Sequence, residues 1–314
     1  MARLLACLLL LAAAVPALAQ PLPADTGPAP VPPPPPPPPP DTGLTVRDAS
    51  VGYIDPAPPA DQVRLRADLG NDFPTPTRAE FFYPRSRPGG PGLPRPERSI
   101  NFQDYTLYLE KTLEPAWSVF VEGGVRAIDP EINANSTDLT DANIGFKYAF
   151  LADQCQIWTF QLRAYLPTGS TARGLGTGHF TFEPAILGFV RLTEDLGLAA
   201  ELRYWDPVGG TDFAGPVVRY GLGLRYDLWQ YDGWRFAPTV EAVGWSVLSG
   251  RESRLLPDGT VRVLDSGGTN VVNLKLGARI DLGEQAGLFV GYGRAVTGQQ
   301  WYREIVRVEF RWLY

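Results

Sequence analysis

The sequence is poor in the side chains that build disulfides and metal centres. Its 314 residues include two cysteines, Cys7 and Cys155, and one histidine, His179. Cys7 lies in an apolar leader that we expect to be removed, which leaves Cys155 without an intrachain partner. One histidine and one cysteine cannot supply a ligand-spaced cluster, so we expect no metal site and no cofactor. These counts argue against a disulfide-stapled fold and against a metalloprotein.

Long apolar runs are also absent beyond the first nineteen residues. Arg3 precedes an apolar run from Leu4 to Val15, and the small-x-small tripeptide Ala17-Leu18-Ala19 follows. A basic start, an apolar run and such a site are typical of a secretory signal peptide, which we predict over residues 1–19. No later stretch approaches the roughly 18 apolar residues of a spanning helix. The processed chain is therefore expected to be either soluble or a β-barrel.

Positive charge is in the minority. The chain has 28 Lys and Arg residues against 34 Asp and Glu residues, a formal net charge of −6. A nucleic-acid-binding protein needs a basic outer face. We therefore expect no nucleic-acid partner.

Proline is abundant in one region. Nine consecutive prolines run from Pro32 to Pro40, and further prolines lie on both sides of them. Proline cannot donate a backbone hydrogen bond and favours the extended polyproline II conformation. We predict that residues 20–60 form a disordered arm, which is either a plain tail or a spacer that meets a partner.

From about residue 61 onward, apolar residues alternate with polar ones in twelve short segments. Strict alternation predicts β-strands that have one apolar and one polar face. Twelve is an even number, as bacterial single-chain barrels usually require. The segments lie near residues 63–69, 105–109, 117–125, 144–150, 158–166, 180–190, 196–204, 218–228, 234–242, 274–282, 288–292 and 306–314.

The connections between these segments alternate between short and long. Short turns on one rim and long loops on the other are the arrangement of outer-membrane barrels, whereas a soluble sandwich has no reason to sort its loops in this way. The short turns lie near residues 114–115, 152–153, 194–195, 231–232 and 283–284. The mostly longer connections lie near residues 70–100, 128–140, 167–178, 206–215, 248–269 and 296–301.

The final segment carries the most specific signal. Residues 306–314 alternate apolar and mostly charged residues and end on an aromatic ring. This ending resembles the closing strand of Gram-negative-type outer-membrane β-barrel proteins. The resemblance implies an assembly signal at Phe310, Trp312 and Tyr314, with outer-membrane lipid and the barrel-assembly machinery as partners. We therefore predict an all-β, antiparallel, up-and-down transmembrane barrel of about twelve strands over residues 61–314, located in the outer membrane with both mature termini in the periplasm.

Aromatic residues gather at the two ends of the predicted strands. Amphipathic rings favour the two membrane interfaces, so this ordering predicts two aromatic belts, whereas a soluble core would scatter rings to mid-strand. The predicted belt residues are Trp117, Tyr148, Phe150, Trp158, Trp229, Trp234, Trp312 and Tyr314 at the short-turn ends, and Tyr204, Tyr220 and Tyr292 nearer the long-loop ends.

The opposite parity of the strands is charged and leans basic. If the apolar face meets lipid, this face lines the lumen. Unpaired arginines would favour small anions, whereas arginines paired with acidic residues on neighbouring strands would plug the barrel. The predicted lumen-lining residues are Arg64, Arg66, Glu122, Arg126, Lys147, Arg163, Glu183, Glu201, Arg203, Arg219, Arg225, Glu241, Lys275, Arg279, Arg307, Glu309 and Arg311.

The sequence thus predicts a passive, porin-like channel for small, in particular anionic, solutes. The alternative is a structural or adhesive barrel with a plugged lumen whose loops bind a partner. A rim lipid hydrolase is the third possibility, because some twelve-stranded outer-membrane barrels are phospholipases. Here nothing around His179, with Ser170 and Thr171 in the preceding loop, resembles that motif, so we expect no enzyme.

Overall fold

The computed structural model describes residues 44–73 and 92–314. The predicted signal peptide and residues 20–43 of the predicted arm lie outside the described residues. Within the described ranges no helix has the length and apolar character needed to cross a bilayer.

The described chain is built almost entirely of β-strands. One short 3₁₀ turn, Thr171–Arg173, interrupts the loop before the seventh strand. The strands are β1 (Gln62–Phe73), β2 (Ile100–Glu114), β3 (Trp117–Pro130), β4 (Ser136–Leu139), β5 (Ala142–Ala152), β6 (Gln156–Leu166), β7 (Phe180–Arg191), β8 (Leu196–Val208), β9 (Val217–Tyr226), β10 (Trp229–Tyr231), β11 (Trp234–Val247), β12 (Arg251–Leu255), β13 (Val261–Asp265), β14 (Asn270–Leu282), β15 (Ala286–Ala295) and β16 (Glu304–Leu313).

Twelve of these strands close into an antiparallel barrel, as the sequence predicted. Each pairs with its neighbour along the chain, and β1 pairs with β16 from Gln62↔Leu313 to Asn71↔Glu304. Closure leaves no unpaired edge, which is the condition for a sheet to cross a bilayer. The barrel strands are β1, β2, β3, β5, β6, β7, β8, β9, β11, β14, β15 and β16.

The two faces of the wall differ as the alternation predicts. Along β1 the side chain of Arg64 is 2% exposed, whereas that of the adjacent Leu65 is 52% exposed. The same reversal of the usual order, with charged residues buried and apolar residues exposed, repeats along the other strands. An apolar outer face belongs in lipid.

Pro238 lies inside β11 without breaking it. The residue pairs with Ala278 of β14 on one side. On the other side the pairing with β9 begins only at Thr239, so the missing N–H falls where no ladder partner is required. Proline is tolerated at such a gap.

The long connections carry short strands that the alternation did not predict. β4 pairs with β3, and β12 and β13 form a hairpin within the 248–269 connection. The hairpin turns at Gly259, which has a φ of 83°, while Asp258 accepts hydrogen bonds from the backbone and hydroxyl of Thr260. Five-residue strands give too few alternations to separate them from loop sequence.

One sequence prediction is wrong in its boundary. Residues 44–60, predicted to belong to the arm, are folded into the lumen, and we call them the luminal segment. Val51 is fully buried, and Val46, Tyr53 and Ile54 are at most 4% exposed. The prolines of this region suggested a spacer, but the apolar residues among them need a surface to pack against, and the inner wall provides one.

Candidate functional site: the lumen and its inserted segment

The structure places the seventeen predicted lumen-lining residues on the inner parity of the wall. Most are buried; for example, the side chains of Arg203 and Arg279 are each 1% exposed. Buried charges of this kind persist only when they are paired or hydrogen-bonded. Their pairing therefore determines how much of the lumen stays free.

A continuous network of ion pairs connects the inner faces of eight barrel strands. Seven arginines share four wall carboxylates, with N···O distances from 2.6 to 3.9 Å. The wall thus carries more guanidinium groups than carboxylates in this network. The arginines are Arg64, Arg66, Arg163, Arg203, Arg219, Arg279 and Arg311, and the carboxylates are those of Glu122, Glu183, Glu201 and Glu309.

The luminal segment enters and leaves through the rim that carries the short turns. Asp48 accepts a hydrogen bond from Arg235 at 2.7 Å near that rim. The chain then reaches its deepest point at residues 53–55 and returns to Asp61, which pairs with Lys111 at the same rim. The segment is therefore a re-entrant loop.

Basic side chains of the wall hold this loop by its backbone. A segment outside any β-ladder leaves its carbonyl oxygens without partners, and Arg and Lys side chains are pure donors that satisfy them. The donor and acceptor pairs are Arg225 to the carbonyls of Arg47 and Ser50, Arg279 to that of Val51, Arg307 to that of Gly52, Arg219 to that of Tyr53, and Lys147 to that of Pro56, at 2.6 to 3.2 Å.

A carboxylate of the wall binds the tip of the loop. Glu241 accepts hydrogen bonds from the backbone N–H groups of Tyr53 and Ile54, each at 2.9 Å. The Tyr53 hydroxyl donates to the carbonyl of Gly291 on β15 at 3.2 Å. Hydrogen bonds to a charged group contribute about 1.5–3 kcal/mol each, so this contact fixes the depth of insertion.

Asp55 is held by three arginines from three strands. Its carboxylate accepts hydrogen bonds from Arg64 at 3.0 Å, Arg163 at 3.0 Å and Arg203 at 2.9 Å. Burial alone would raise the pKa of this carboxyl, but Arg64, Arg203 and Arg163 together hold the pKa well below its usual range. The group is therefore ionised at any physiological pH.

Glycines of the wall make room for the apolar side of the loop. A Cβ placed on Gly223 would lie 3.2 Å from Val51 and 3.3 Å from Ile54, and one on Gly221 would lie 3.1 Å from Ile54. A Cβ at Gly223 would also lie 3.0 Å from Glu241, the wall carboxylate that binds the tip, so side chains at these positions would crowd both the segment and its wall partner.

Cavities lie on both sides of the loop. One of about 590 Å³ opens at the short-turn rim and is lined by Arg47, Asp48 and Arg235. Another, of about 280 Å³, lies beyond the tip and is lined by Tyr53 of the segment and by Lys275 and other wall residues. The luminal segment occupies the space between them.

Three comparisons place this architecture among known proteins. No protein-family model matches the chain, and no curated protein matches it in sequence. In structure it is similar to an outer-membrane channel from Pseudomonas putida F1, with a TM-score of 0.53, 11% identity, and coverage of 84% of this chain and 99% of the other. The chain has the outer-membrane β-barrel fold. This similarity and the closed barrel confirm the resemblance to outer-membrane β-barrel proteins that the closing strand indicated.

Two further solved barrels are similar at lower scores. The NanC porin has a TM-score of 0.46 and 10% identity over 80% of this chain and 100% of its own. The β domain of the Bordetella autotransporter BrkA has a TM-score of 0.49 and 12% identity over 81% of this chain and 100% of its own. At such identities the likeness concerns the fold alone.

Most of the predicted belt residues lie near the ends of the barrel strands, and Trp229 lies in the short strand β10. Trp117 begins β3 and stacks on Tyr148 with ring centroids 4.3 Å apart. Trp312 and Tyr314 end the chain at the same rim, 42% and 57% exposed. Tyr292 is 41% exposed toward the other end of β15. Their contact with membrane interfaces stays a prediction.

His179 lies at the edge of a cavity of about 200 Å³ on the long-loop side of the barrel. Its side chain is buried, and a Cβ on Gly210 would come within 3.0 Å of its ring. Thr177 donates its hydroxyl to the backbone carbonyl of His179 at 3.3 Å. Among residues 44–73 and 92–314, no group of three or more His, Cys, Asp or Glu residues is arranged to hold a metal ion.

Sequence reasoning missed the residues that the loop contributes. Asp48, Tyr53 and Asp55 lie in a stretch without strand periodicity, so no parity rule applies to them. It also missed inward aromatic residues such as Phe289, which is fully buried with its ring edge-on to Tyr53 at 5.9 Å. The run of small and apolar residues after the proline tract was the available signal.

Proposed function

We propose that this chain is an outer-membrane channel for small solutes whose resting state is closed by its own luminal segment. The observation that carries the proposal is the re-entrant loop, which lies between two cavities and is held by wall donors. A wall sealed by its own side chains would leave no space for a folded segment. Here the segment, rather than the wall, fills the passage.

The space that the loop occupies indicates the width of the open passage. The segment enters and returns, so two passes of chain lie within the barrel. Neighbouring extended chains are about 4.8 Å apart, and two passes therefore need a lumen on the order of 10 Å across. Twelve strands fall between filled eight-stranded barrels and open porins of 16–18 strands, which is consistent with passage of small solutes only.

The charge of the wall favours anions among these solutes. Arginine donors outnumber carboxylates in the network around Asp55. Fixed positive charge lowers the barrier for entry of anions. No catalytic step is part of the proposal.

The proposed setting is the outer membrane, with both mature termini in the periplasm. The exposed apolar face supports insertion into lipid, and the aromatic end of β16 supports recognition by the barrel-assembly machinery. A short-turn rim that also carries the chain terminus is the periplasmic rim in outer-membrane barrels. The luminal segment is thus inserted from the periplasmic side.

Flux through liposomes tests the channel. We expect a variant that lacks residues 20–60, with the signal peptide joined to residue 61, to release a small anion without a carboxylate, such as chloride, from liposomes. A variant that lacks only residues 20–43 keeps the luminal segment and should release them far more slowly. Intact folding of both is checked by heat-dependent mobility on gels. If liposomes that carry the folded barrel without residues 20–60 retain the anion, the proposal is contradicted.

A second candidate function is that of a structural or adhesive barrel. The β12–β13 hairpin favours it, because Val261 and Val263 are each 43% exposed on a hairpin that pairs with no barrel strand. A structural or adhesive barrel should stay impermeable to small solutes even when residues 20–60 are removed.

A further inference from the structure

We propose that Arg64, Arg163 and Arg203 form a binding site for the carboxylate of a passing solute, and that Asp55 occupies this site as an internal competitor. The inference rests on the proposed channel function and names the chemical class that the channel selects. The luminal segment would then be displaced by the solutes that the channel admits.

The geometry around Asp55 is that of a bound anion. Three guanidinium groups approach its two oxygens at 2.9 to 3.0 Å, one on Oδ1 and two on Oδ2. Charge-assisted hydrogen bonds of this length are among the strong ones in proteins. Asp55 reaches the site on a loop that belongs to no strand, so its carboxylate is the movable partner.

Partners in the wall position the arginines independently of Asp55. Arg203 donates through Nε to Glu201 at 2.7 Å and through Nη1 to Glu183 at 2.6 Å. Only its Nη2 is directed to Asp55. Departure of Asp55 would leave this donor in place and still aimed at the lumen.

The other two guanidinium groups rest on aromatic rings. Arg64 lies 3.8 Å from the ring centre of Tyr108, and Arg163 lies 5.2 Å from that of Phe120. A guanidinium group over an aromatic ring is held there by cation–π attraction while its N–H groups stay available. The site is therefore preorganised, which lowers the cost of binding a replacement anion.

Charge balance requires a replacement when Asp55 leaves. Without it, seven wall arginines of the network share four carboxylates. Nε and Nη2 of Arg64 already lack a hydrogen-bond acceptor among the described residues. Buried guanidinium groups without counter-charge are costly, so a carboxylate from solution is favoured there.

The solute must compete with the Asp55 carboxylate, which is tethered to the barrel, and this competition sets the solute concentration that is needed. A group on a short flexible tether acts at an effective concentration on the order of millimolar. A solute carboxylate must reach a comparable concentration to displace Asp55 from the full chain. The barrel without the luminal segment should bind the same solute more tightly.

Ligand-detected NMR in detergent tests the site, with D-glucuronate as the probe and D-glucose as its uncharged control. We expect the barrel lacking residues 20–60 to bind glucuronate saturably and to ignore glucose. Arg163→Gln in that barrel should weaken glucuronate binding by about tenfold or more. Arg303→Gln is the matched control, because Arg303 pairs with Asp72 near the long-loop rim, away from Asp55.

Variants of the full chain give a second measurement that does not depend on the deletion. Asp55→Asn removes the competing charge, so glucuronate should bind the full chain at lower concentration than it binds the unaltered protein. Asp48→Asn also removes a segment carboxylate, but it leaves Asp55 in the site. That variant should bind glucuronate no better than the unaltered chain.

The outcomes separate this inference from the channel proposal. Glucuronate binding that Arg163→Gln weakens by about tenfold or more supports the site, whether or not liposomes show flux. Flux without glucuronate binding would overturn the site and leave the channel standing. Binding that Arg163→Gln leaves unchanged, or equal binding of glucose, would also overturn the site.

Discussion

At the scale of single residues, the Asp55 carboxylate connects the luminal segment to β1, β6 and β8. Each of these strands contributes one arginine to it. Removing one partner of a buried ionic contact is far more costly than the contact's net contribution, because the remaining charges are left without a counter-ion. The position of the segment therefore depends strongly on this one side chain.

Acidification should not open the channel through Asp55. The pKa of Asp55 is held well below its usual range, against the effect of burial, by Arg64, Arg203 and Arg163. A carboxyl with a lowered pKa stabilises the seated segment above its free value of about 3.9, and this contribution is lost only as the pH falls through the lowered pKa. We expect Asp55 to cause no change in the bilayer current between about pH 8 and about pH 5. A step in the current within that window that Asp55→Asn removes would contradict this prediction.

A larger side chain at Gly223 should expel the loop. A Cβ there would lie 3.0 Å from Glu241, which binds the tip of the loop, and 3.2 Å from Val51. Gly223→Leu therefore overpacks the seated segment and its wall contact by about 1–3 kcal/mol, roughly a 5- to 150-fold change in occupancy. Raised hydrogen exchange at residues 51–55, together with raised bilayer current, is the expected result. Gly123→Leu is the control, because nothing lies within 4 Å of a Cβ at Gly123. If residues 51–55 are equally protected from hydrogen exchange in both variants, Gly223 does not accommodate the loop.

At the scale of elements, the strands were predictable and the luminal segment was not. β16 alternates Arg307, Glu309 and Arg311 with exposed Val308 and Phe310, because one face meets lipid and the other meets charge. A strand between two such environments alternates apolar and charged residues with a period of two, which can be read from the sequence. The luminal segment contacts the wall on several sides of an irregular backbone, so its burial leaves no period.

The candidate site divides in the same way. The alternation of β8 and β6 was enough to place Arg203 and Arg163 on the inner parity. Their partner Asp55 was not recognisable, since an aspartate that precedes Pro56 in a stretch without strand periodicity reads as a solvated residue. A side chain that acts through long-range contact with three strands has no local signature.

The aromatic end of β16 should govern insertion rather than stability in detergent. Replacing Trp312 and Tyr314 together with Ser removes the predicted assembly signal while leaving the inward Arg311 in place. We expect strongly reduced recovery of heat-modifiable barrel in outer membranes, with refolding in detergent retained. Trp229→Ser, which removes an exposed aromatic of β10, serves as the control. If the double variant reaches the outer membrane in normal amounts, the aromatic end of β16 is not the assembly signal.

At the scale of the whole molecule, the barrel and its inserted segment are two parts with different cohesion. The wall is a closed ladder of main-chain hydrogen bonds in which each barrel strand is paired on both sides. The segment is held by side-chain contacts to that ladder. Conditions that weaken ionic contacts should therefore release the segment before the wall opens.

The most direct test of the account is the planar-bilayer conductance of two deletions that differ only in residues 44–60. The barrel lacking residues 20–60 should show stable current steps with anion preference in a salt gradient. The barrel lacking residues 20–43 should be closed or conduct far less under the same conditions. Equal conductance of the two, with both shown to be folded by heat-dependent mobility, would contradict the account, because the luminal segment would then not close the passage.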